Sequence, residues 1–325
     1  MSTRFSSVVG AGAALAAAAL LLTACGGQPA SSGQPTSEGT AGGLTGTVAS
    51  DGSSTVGPLT EAAATAFRGV EPGVQVTVAT SGTGGGFKTF CGGETDISNA
   101  SRPIKDAEAA ACESAGIQFT EIVIANDGLS VVVNPQNDWA KCLTVAQLNT
   151  IWAPESEGKI MNWNQVDPSF PDVPLTLYGA GTDSGTFDYF TGAINGEEGA
   201  SRTDYSPSED DNVTIQGVSG EKGALGYFGL SYLEENADSI RGVEIDGGAG
   251  CVFPSVETVQ DGSYTPLGRP LFIYVNNTGY TEKPQVKAFV DYFVENTVAI
   301  AQEALFVPLT DSQVTTAQDE LASLG

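Results

Sequence analysis

The segment DGSSTVGPL at residues 51–59 carries the pattern on which the fold prediction depends. It follows a strand-like run at 46–50, and Pro58 suits the first turn of a helix whose apolar residues recur at helical spacing up to Phe67. The same order of strand, Gly/Ser/Thr turn and helix start returns in SGTGGGFKTF at 81–90 and GTDSGTFDYF at 181–190. Strands that alternate with helices predict an α/β fold with mostly parallel sheets.

Turns of this design place free backbone N–H groups and short hydroxyls at a helix N-terminus, which is a local arrangement that binds anions. In open α/β sheets such turns lie at the carboxyl ends of strands, where ligands bind. A fourth segment, DISNASRP at 96–103, adds Ser101 and Arg102. A guanidinium suits a tetrahedral oxyanion. One such turn alone is an ordinary helix cap, and one arginine is an ordinary surface ion pair. The predicted anion site therefore depends on all four segments together.

The composition excludes several kinds of function. The chain has 325 residues with 39 Asp or Glu, 13 Lys or Arg and no histidine, so its formal net charge is −26. Without histidine, Ser-His-Asp and Cys-His catalysis and His-liganded metal sites are excluded. The negative charge argues against nucleic acid and anionic membrane surfaces as partners. No catalytic residue, metal or cofactor is expected.

The first 46 residues are predicted to lie outside the fold. Residues 1–24, with one early charge and an apolar run at 8–22, are typical of a signal peptide. The sequence Leu-Thr-Ala-Cys that ends at Cys25 resembles the bacterial lipobox, in which the cysteine becomes the lipidated first residue. The alternative is an ordinary signal peptide with a chance cysteine. Residues 25–46, rich in Gly, Ser, Pro and Thr, form a flexible linker.

Four cysteines remain in the predicted folded body: Cys91, Cys112, Cys142 and Cys251. An even number in an exported protein predicts two disulfides. Three pairings are available, and the simplest closes the short loop from Cys91 to Cys112 and leaves Cys142 with Cys251. Free buried thiols are the alternative, and no CxxC spacing supports a metal cluster.

The four segments, together with QGVSGEKGALGYFG at 216–229, resemble the phosphate-binding proteins of bacterial phosphate ABC transporters. The resemblance implies a two-lobed periplasmic-binding-protein-like fold of type II, with a hinge and a ligand cleft between the lobes. It places lobe I at 47–130 plus 270–325 and lobe II at 131–269. It also implies an exported monomer, anchored by lipid to the outer face of the cell membrane, that delivers inorganic phosphate to the permease subunits and performs no chemistry.

The resemblance further implies which residues contact phosphate. The loops supply, in chain order, Ser54 and Thr55, then Thr83 and Gly84, then Ser101, and finally Ser184, Gly185 and Thr186. Where this chain has Ser101, the family carries an Asp, and that Asp accepts the proton of hydrogen phosphate. Where this chain has Ala180, the family carries an Arg. We therefore expect Arg102 to supply the cation and Asp183 to supply the acceptor.

The sequence leaves three alternative functions. A receptor for sulfate or another oxyanion would use the same fold, because the missing Asp removes a basis for discrimination. An exported hydrolase would use Ser184 or Ser54 as its nucleophile, but the chain has no histidine base, no S-x-x-K segment and no GxSxG elbow. A surface protein without a ligand would have no reason to retain the hydroxyl-rich loops.

Overall fold

The computed structural model of the protein describes residues 43–182 and 184–324. The predicted signal peptide, Cys25, most of the predicted linker and Asp183 lie outside the described residues. Within the described ranges, no helix combines the length and the apolar character needed to cross a membrane.

Strands and helices alternate along the chain, as the sequence predicts. The strands are β1 Gly46–Gly52, β2 Val74–Val78, β3 Ile97–Ala100, β4 Phe119–Val133, β5 Cys142–Thr144, β6 Thr176–Ala180, β7 Ser206–Ser208, β8 Ala224–Gly229, β9 Arg241–Gly242, β10 Glu244–Asp246, β11 Cys251–Val252 and β12 Gly268–Asn276. The helices are α1 Gly57–Phe67, α2 Thr83–Cys91, α3 Asp106–Ala115, α4 Val145–Trp152, α5 Trp163–Val166, α6 Gly185–Asn195, α7 Asp211–Gly220, α8 Leu230–Glu235, α9 Val256–Gln260, α10 Asn277–Glu282, α11 Pro284–Glu295, α12 Thr297–Glu303 and α13 Asp311–Ala322.

One large sheet runs through the molecule in the order β2-β1-β3-β12-β4-β8-β6-β7, with β9 paired to β4. Strand β1 is parallel to β2 and β3, and β6 is parallel to β7 and β8. Between these parallel sets, β4 pairs antiparallel with β12 through its first part and with β8 through Leu129–Val133. A single long strand therefore belongs to both halves of the sheet.

In the sequence, the apolar runs 122–125 and 129–133 predict two separate strands, but the structure has the single strand β4 there. The polar residues between them remain in the strand because their polar groups have partners. The backbone of Asn126 exchanges two hydrogen bonds with Val307, and its side-chain amide contacts Gln313. Asp127 lies opposite Arg269 of β12 in the strand register and pairs with its guanidinium.

Each half of the sheet has its own large hydrophobic core. Leu59 of α1, Ile97 of β3 and Phe289 of α11 belong to one core. Trp152 of α4 and Tyr227 of β8 belong to the other. Burial of such side chains supplies the main favourable free energy of folding. The two cores agree with two lobes, and the exact lobe boundaries stay a prediction.

The predicted disulfides are present, in the pairing that the sequence made simplest. Cys91 at the end of α2 is bonded to Cys112 of α3, and Cys142 of β5 is bonded to Cys251 of β11. The second bond closes the longer segment, with a sequence separation of 109 against 21 for the first. In the usual chain-entropy account, the longer closure restricts the unfolded chain more.

Helix α2 packs directly on the end of β1, and a glycine makes this approach possible. A Cβ atom at Gly86 would lie 2.4 Å from the Cα atom of Gly52 and 2.9 Å from the carbonyl oxygen of Asp51. Both contacts are with backbone, which cannot move aside without shifting the loop after β1. The close approach therefore fixes the position of the 81–86 turn relative to the 51–55 turn.

We expect Gly86→Ala to lower the free energy of unfolding by about 1–3 kcal/mol, because the added methyl group overpacks a backbone contact. Urea unfolding followed by circular dichroism measures the change. Gly220→Ala is the matched control, since a Cβ atom there meets nothing within 4 Å and the residue also lies in a helix. Equal stability of the two variants would contradict this account of the packing.

Candidate anion-binding site

A buried carboxylate joins the first two Gly/Ser/Thr turns. Asp51 at the end of β1 accepts hydrogen bonds from the backbone N–H groups of Gly52 and Ser81, at 2.8 and 3.0 Å. It also accepts hydrogen bonds from the hydroxyls of Ser81 and Thr89, at 2.8 and 3.1 Å. Hydrogen bonds to a charged acceptor are among the stronger ones in proteins. Asp51 therefore holds the two turns side by side at the carboxyl end of the sheet.

The third turn is joined to the second through two buried hydroxyls. The oxygen atoms of Thr83 and Ser101 lie 3.0 Å apart, and the backbone N–H of Ser101 donates to the Thr83 hydroxyl at 3.3 Å. Both residues are buried. The sequence-predicted residues Thr83 and Ser101 are thus in direct contact.

The fourth turn comes from the other half of the sheet and meets the first turn. Ser184 caps α6, because its hydroxyl accepts a hydrogen bond from the backbone N–H of Thr186 at 3.2 Å. The hydroxyl of Thr55 donates to the carbonyl oxygen of Gly185 at 3.3 Å. A Cβ atom at Gly185 would lie 2.7 Å from the backbone nitrogen of Thr55, so the contact requires glycine.

The turns surround a small inner cavity that adjoins a larger outer one. The inner cavity has a volume of about 10 Å³, which is the space of roughly one water. Its lining is Ser53, Ser54, Thr55, Gly82, Thr83, Ser101, Asp188, Tyr189, Glu198 and Arg269. The outer cavity has a volume of about 640 Å³ and shares Thr83, Ser101, Asp188, Tyr189, Glu198 and Arg269 with the inner one. A ligand larger than water therefore has room where the two cavities meet.

The predicted site residues divide into three groups. Four of them line the inner cavity, namely Ser54, Thr55, Thr83 and Ser101. Gly84 and Arg102 line the outer cavity only. Ser184, Gly185 and Thr186 line neither cavity in the described part of the chain, although Gly185 contacts Thr55.

Arg102, the cation expected from the sequence, is already paired with an acid of its own half. Its guanidinium makes two parallel 2.8 Å hydrogen bonds to the carboxylate of Glu108 and donates to the carbonyl oxygen of Pro103. The hydrogen bond to Glu108 is the main cause of the raised pKa of Arg102. The guanidinium also lies over the ring of Phe87, 5.7 Å from its centroid. Arg102 forms a wall of the outer cavity.

The guanidinium in contact with the turns is that of Arg269, which the sequence analysis missed. It donates to the hydroxyl of Thr55 and to the carbonyl oxygen of Ser101, both at 3.1 Å. It pairs with the carboxylate of Asp127 at 3.4 Å and lies 3.3 Å from the centroid of the Tyr189 ring. No local motif marks this arginine, because it lies in strand β12 and not in a Gly-rich turn.

Two carboxylates lie beside Arg269. Burial raises the pKa of Asp188, and the hydroxyl of Ser54 and the charge of Arg269 oppose this. The Ser54 hydroxyl donates to Asp188 at 3.4 Å, across the two halves of the sheet. Burial also raises the pKa of Asp127, against the lowering effect of Arg269. The inner cavity thus offers hydroxyl and guanidinium donors together with two carboxylates, those of Asp188 and Glu198.

Comparison with known proteins shows a matching family and similar relatives. Residues 31–297 match the family model described as the PBP superfamily domain. The chain is 49% identical to protein SphX of Synechocystis sp. over 264 residues, which cover 81% of this chain and 79% of that protein. It is 38% identical to the phosphate-binding protein PstS of Staphylococcus saprophyticus over 312 residues, which cover 94% of this chain and 91% of that protein.

A solved structure is similar over nearly its whole length. The crystal structure of a possible phosphate binding protein from Planctomyces limnophilus superimposes with a TM-score of 0.83 and 46% sequence identity. The match covers 86% of this chain and 99% of that one.

Proposed function

Because the chain belongs to the PBP superfamily and to the family of PstS phosphate-binding proteins, we propose that it captures inorganic phosphate and delivers it to an ABC importer. The observation that carries the proposal is that four of the predicted hydroxyl-bearing residues line one cavity together with Arg269. These hydroxyls belong to Ser54, Thr55, Thr83 and Ser101. Such a donor set suits a small tetrahedral oxyanion.

Arg269 supplies the positive charge in this proposal, in place of the arginine that the family carries where this chain has Ala180. Its guanidinium reaches Thr55 and Ser101, whose loops both border the inner cavity. A body of net charge −26 repels an anion at long range, although salt screens this beyond roughly 8–10 Å. Short-range donors must therefore provide the binding free energy.

In this proposal, Asp188 accepts a hydrogen bond from the P–OH group of phosphate. Phosphate carries at least one P–OH group near neutral pH and sulfate carries none, so a carboxylate beside the ligand accepts a hydrogen bond from phosphate and repels sulfate. Asp188 lines both cavities and is held near Ser54, whereas the acceptor expected from the sequence, Asp183, lies outside the described residues. Sulfate or another oxyanion remains the alternative ligand, and the carboxylate disfavours it.

The remaining predicted contacts belong to a rearranged, ligand-filled cleft. Phosphate has room where the two cavities meet but exceeds the inner cavity alone, so we propose that the two halves shift to admit it further and then close around it, as two-lobed binding proteins do. In that state we propose that Ser184, Gly185 and Thr186 present the N-terminus of α6 to the anion. Gly84 and Arg102 complete the wall on the other side. No step of this account breaks or forms a covalent bond.

The N-terminal segment defines the proposed cellular location. Signal peptide 1–24, lipidation at Cys25 and the linker to residue 46 place the binding body outside the cell membrane. The lipid is then its membrane contact, and the permease subunits are its protein partners. This location suits a receptor that meets phosphate before the importer does.

Titration calorimetry with phosphate and then sulfate tests the ligand. The soluble body, starting after Cys25, is first partially unfolded and dialysed, because such receptors can retain ligand. We expect one phosphate per chain with a dissociation constant on the order of micromolar, near the limit for five heavy atoms, and no heat from sulfate. Asp188→Asn should reduce the preference for phosphate about tenfold or more, the worth of one charge-assisted hydrogen bond.

Asp238→Asn, at an exposed position, is the control and should leave both ligands unaffected. Equal binding of phosphate and sulfate by the unaltered protein would agree with an anion site but contradict its assignment to phosphate. An unchanged preference in Asp188→Asn would contradict the role of that carboxylate.

The role of Arg269 has its own prediction. Arg269→Lys keeps the charge but loses the forked donor geometry, so we expect phosphate affinity to fall by about 10- to 100-fold. Calorimetry measures the affinity, and circular dichroism shows whether the variant folds. Arg269→Gln combined with Asp127→Asn is a second variant that leaves no unpaired buried charge.

Arg68→Gln, which removes an exposed guanidinium at the end of α1, controls for the change in net charge. A folded Arg269→Lys protein that binds phosphate as tightly as Arg68→Gln would rule out Arg269 as the cation of the site.

The lipid anchor is tested by Cys25→Ala. In bacterial cells supplied with a labelled fatty acid, we expect the unaltered protein to carry label and to sediment with membranes. Cys25→Ala should carry no label and leave the membrane fraction. Cys142→Ala with Cys251→Ala, which removes a disulfide and keeps Cys25, is the control and should stay labelled. An unlabelled natural protein would refute lipidation.

A further inference from the structure

The turn after α6, at residues 196–199, brings Glu198 to the outer cavity, which forms the mouth of the cleft. Gly196 and Gly199 have φ angles of 84° and 83°, in the left-handed region that favours glycine. The backbone N–H of Gly199 donates to the hydroxyl of Thr191 at 2.8 Å, which fastens the turn to its helix. The turn thereby directs Glu198 back along α6 toward the cavities.

A third glycine, Gly192, makes room for the side chain of Glu198. A Cβ atom at Gly192 would lie 3.2 Å from the Cγ atom of Glu198, so the side chain of Glu198 lies across α6 at that point. Glu198 lines the inner and the outer cavity, whereas the neighbouring Glu197 lines the outer cavity only. The ion pairs among the described residues do not include Glu198.

Arg102 lies on the opposite wall of the outer cavity, and two of its N–H donors have no partner among the described hydrogen bonds. It lines the outer cavity, and its side chain is 28% exposed. Its two bonds to Glu108 and one to Pro103 use both terminal nitrogens. A guanidinium has five N–H donors, so Nε–H and one Nη2–H have no partner among the described hydrogen bonds. Glu198 is near enough for its charge to add to the raised pKa of Arg102, after the larger effect of Glu108.

We propose that Arg102 and Glu198 form an ion pair across the mouth of the cleft when the two halves close on phosphate, and that this pair slows phosphate release. The inference rests on the proposed function. Arg102 keeps its bonds to Glu108, which orient the guanidinium, and offers its remaining N–H groups to Glu198. Because the pair forms only on closure, it acts mainly on the dissociation rate and little on the association rate.

The direction in which the phosphate release rate changes in Glu198→Gln distinguishes an ion pair with Arg102 from simple repulsion of phosphate by Glu198. Glu198 lines the inner cavity, so its negative charge by itself opposes an anion there. If repulsion were its whole effect, Glu198→Gln would hold phosphate longer. If Glu198 closes the mouth with Arg102, the same variant releases phosphate faster.

The test is the release of radiolabelled phosphate after a chase with excess unlabelled phosphate, in unaltered protein, Glu198→Gln and Glu197→Gln. We expect release from Glu198→Gln to be about three- to fivefold faster, the size of a partly exposed ion pair. Glu197→Gln, which makes the same change of charge one residue away, should stay within about twofold of the unaltered protein. Raising the salt concentration should speed release from the unaltered protein and have little effect on Glu198→Gln.

A double-variant cycle shows whether Arg102 is the partner. In an Arg102→Gln background, Glu198→Gln should have no further effect on the release rate. Release from Glu198→Gln that is slower than, or equal to, that from Glu197→Gln would overturn the ion pair while leaving phosphate binding intact. If the unaltered protein retains no labelled phosphate, the proposed function itself fails, and the ion pair fails with it.

Discussion

The ion pair between Arg269 and Asp127 links the loops of Thr55 and Ser101 to helix α6. The two residues lie opposite each other on β12 and β4, in the middle of the large sheet. From there the guanidinium reaches Thr55 and Ser101 on one side and lies against the ring of Tyr189 of α6 on the other. Arg269 therefore contacts both halves of the sheet, and the proposed anion site lies between them.

This arrangement explains how a strongly acidic chain can hold an anion. The positive charge of Arg269 is partly offset by Asp127, and Asp188 adds a negative charge to the cavity lining. In the proposed site, neutral donors therefore carry much of the recognition, and Asp51 and the close approach of Gly86 to Gly52 hold their loops in place. A carboxylate in the lining also gives a physical basis for selecting a protonated oxyanion.

The sequence was sufficient to predict what depends on local pattern. The α/β alternation, the turns at the strand ends and the hydroxyls of Thr83 and Ser101 follow from short motifs, and the structure has them in contact. Arg269 could not be predicted in this way, because its role depends on the pairing of two strands more than 130 residues apart, set by the register of β12 on β4. For the same reason the prediction ended a strand before Asn126, whose partners Val307 and Gln313 come from the far end of the chain. The pairing of Arg102 with Glu108 is local, but a motif comparison does not show which charges are already neutralised.

The central claim is that the anion binds to the guanidinium that joins the two strands. A crystal structure of the ligand-stripped soluble body grown with phosphate tests it most directly. The account predicts phosphate where the inner and outer cavities meet, with oxygen atoms at hydrogen-bonding distance from Arg269 and from the hydroxyls of Thr83 and Ser101, and with its proton facing Asp188. Phosphate bound to Arg102 alone, with Arg269 engaged only by Asp127 and Thr55, would contradict it.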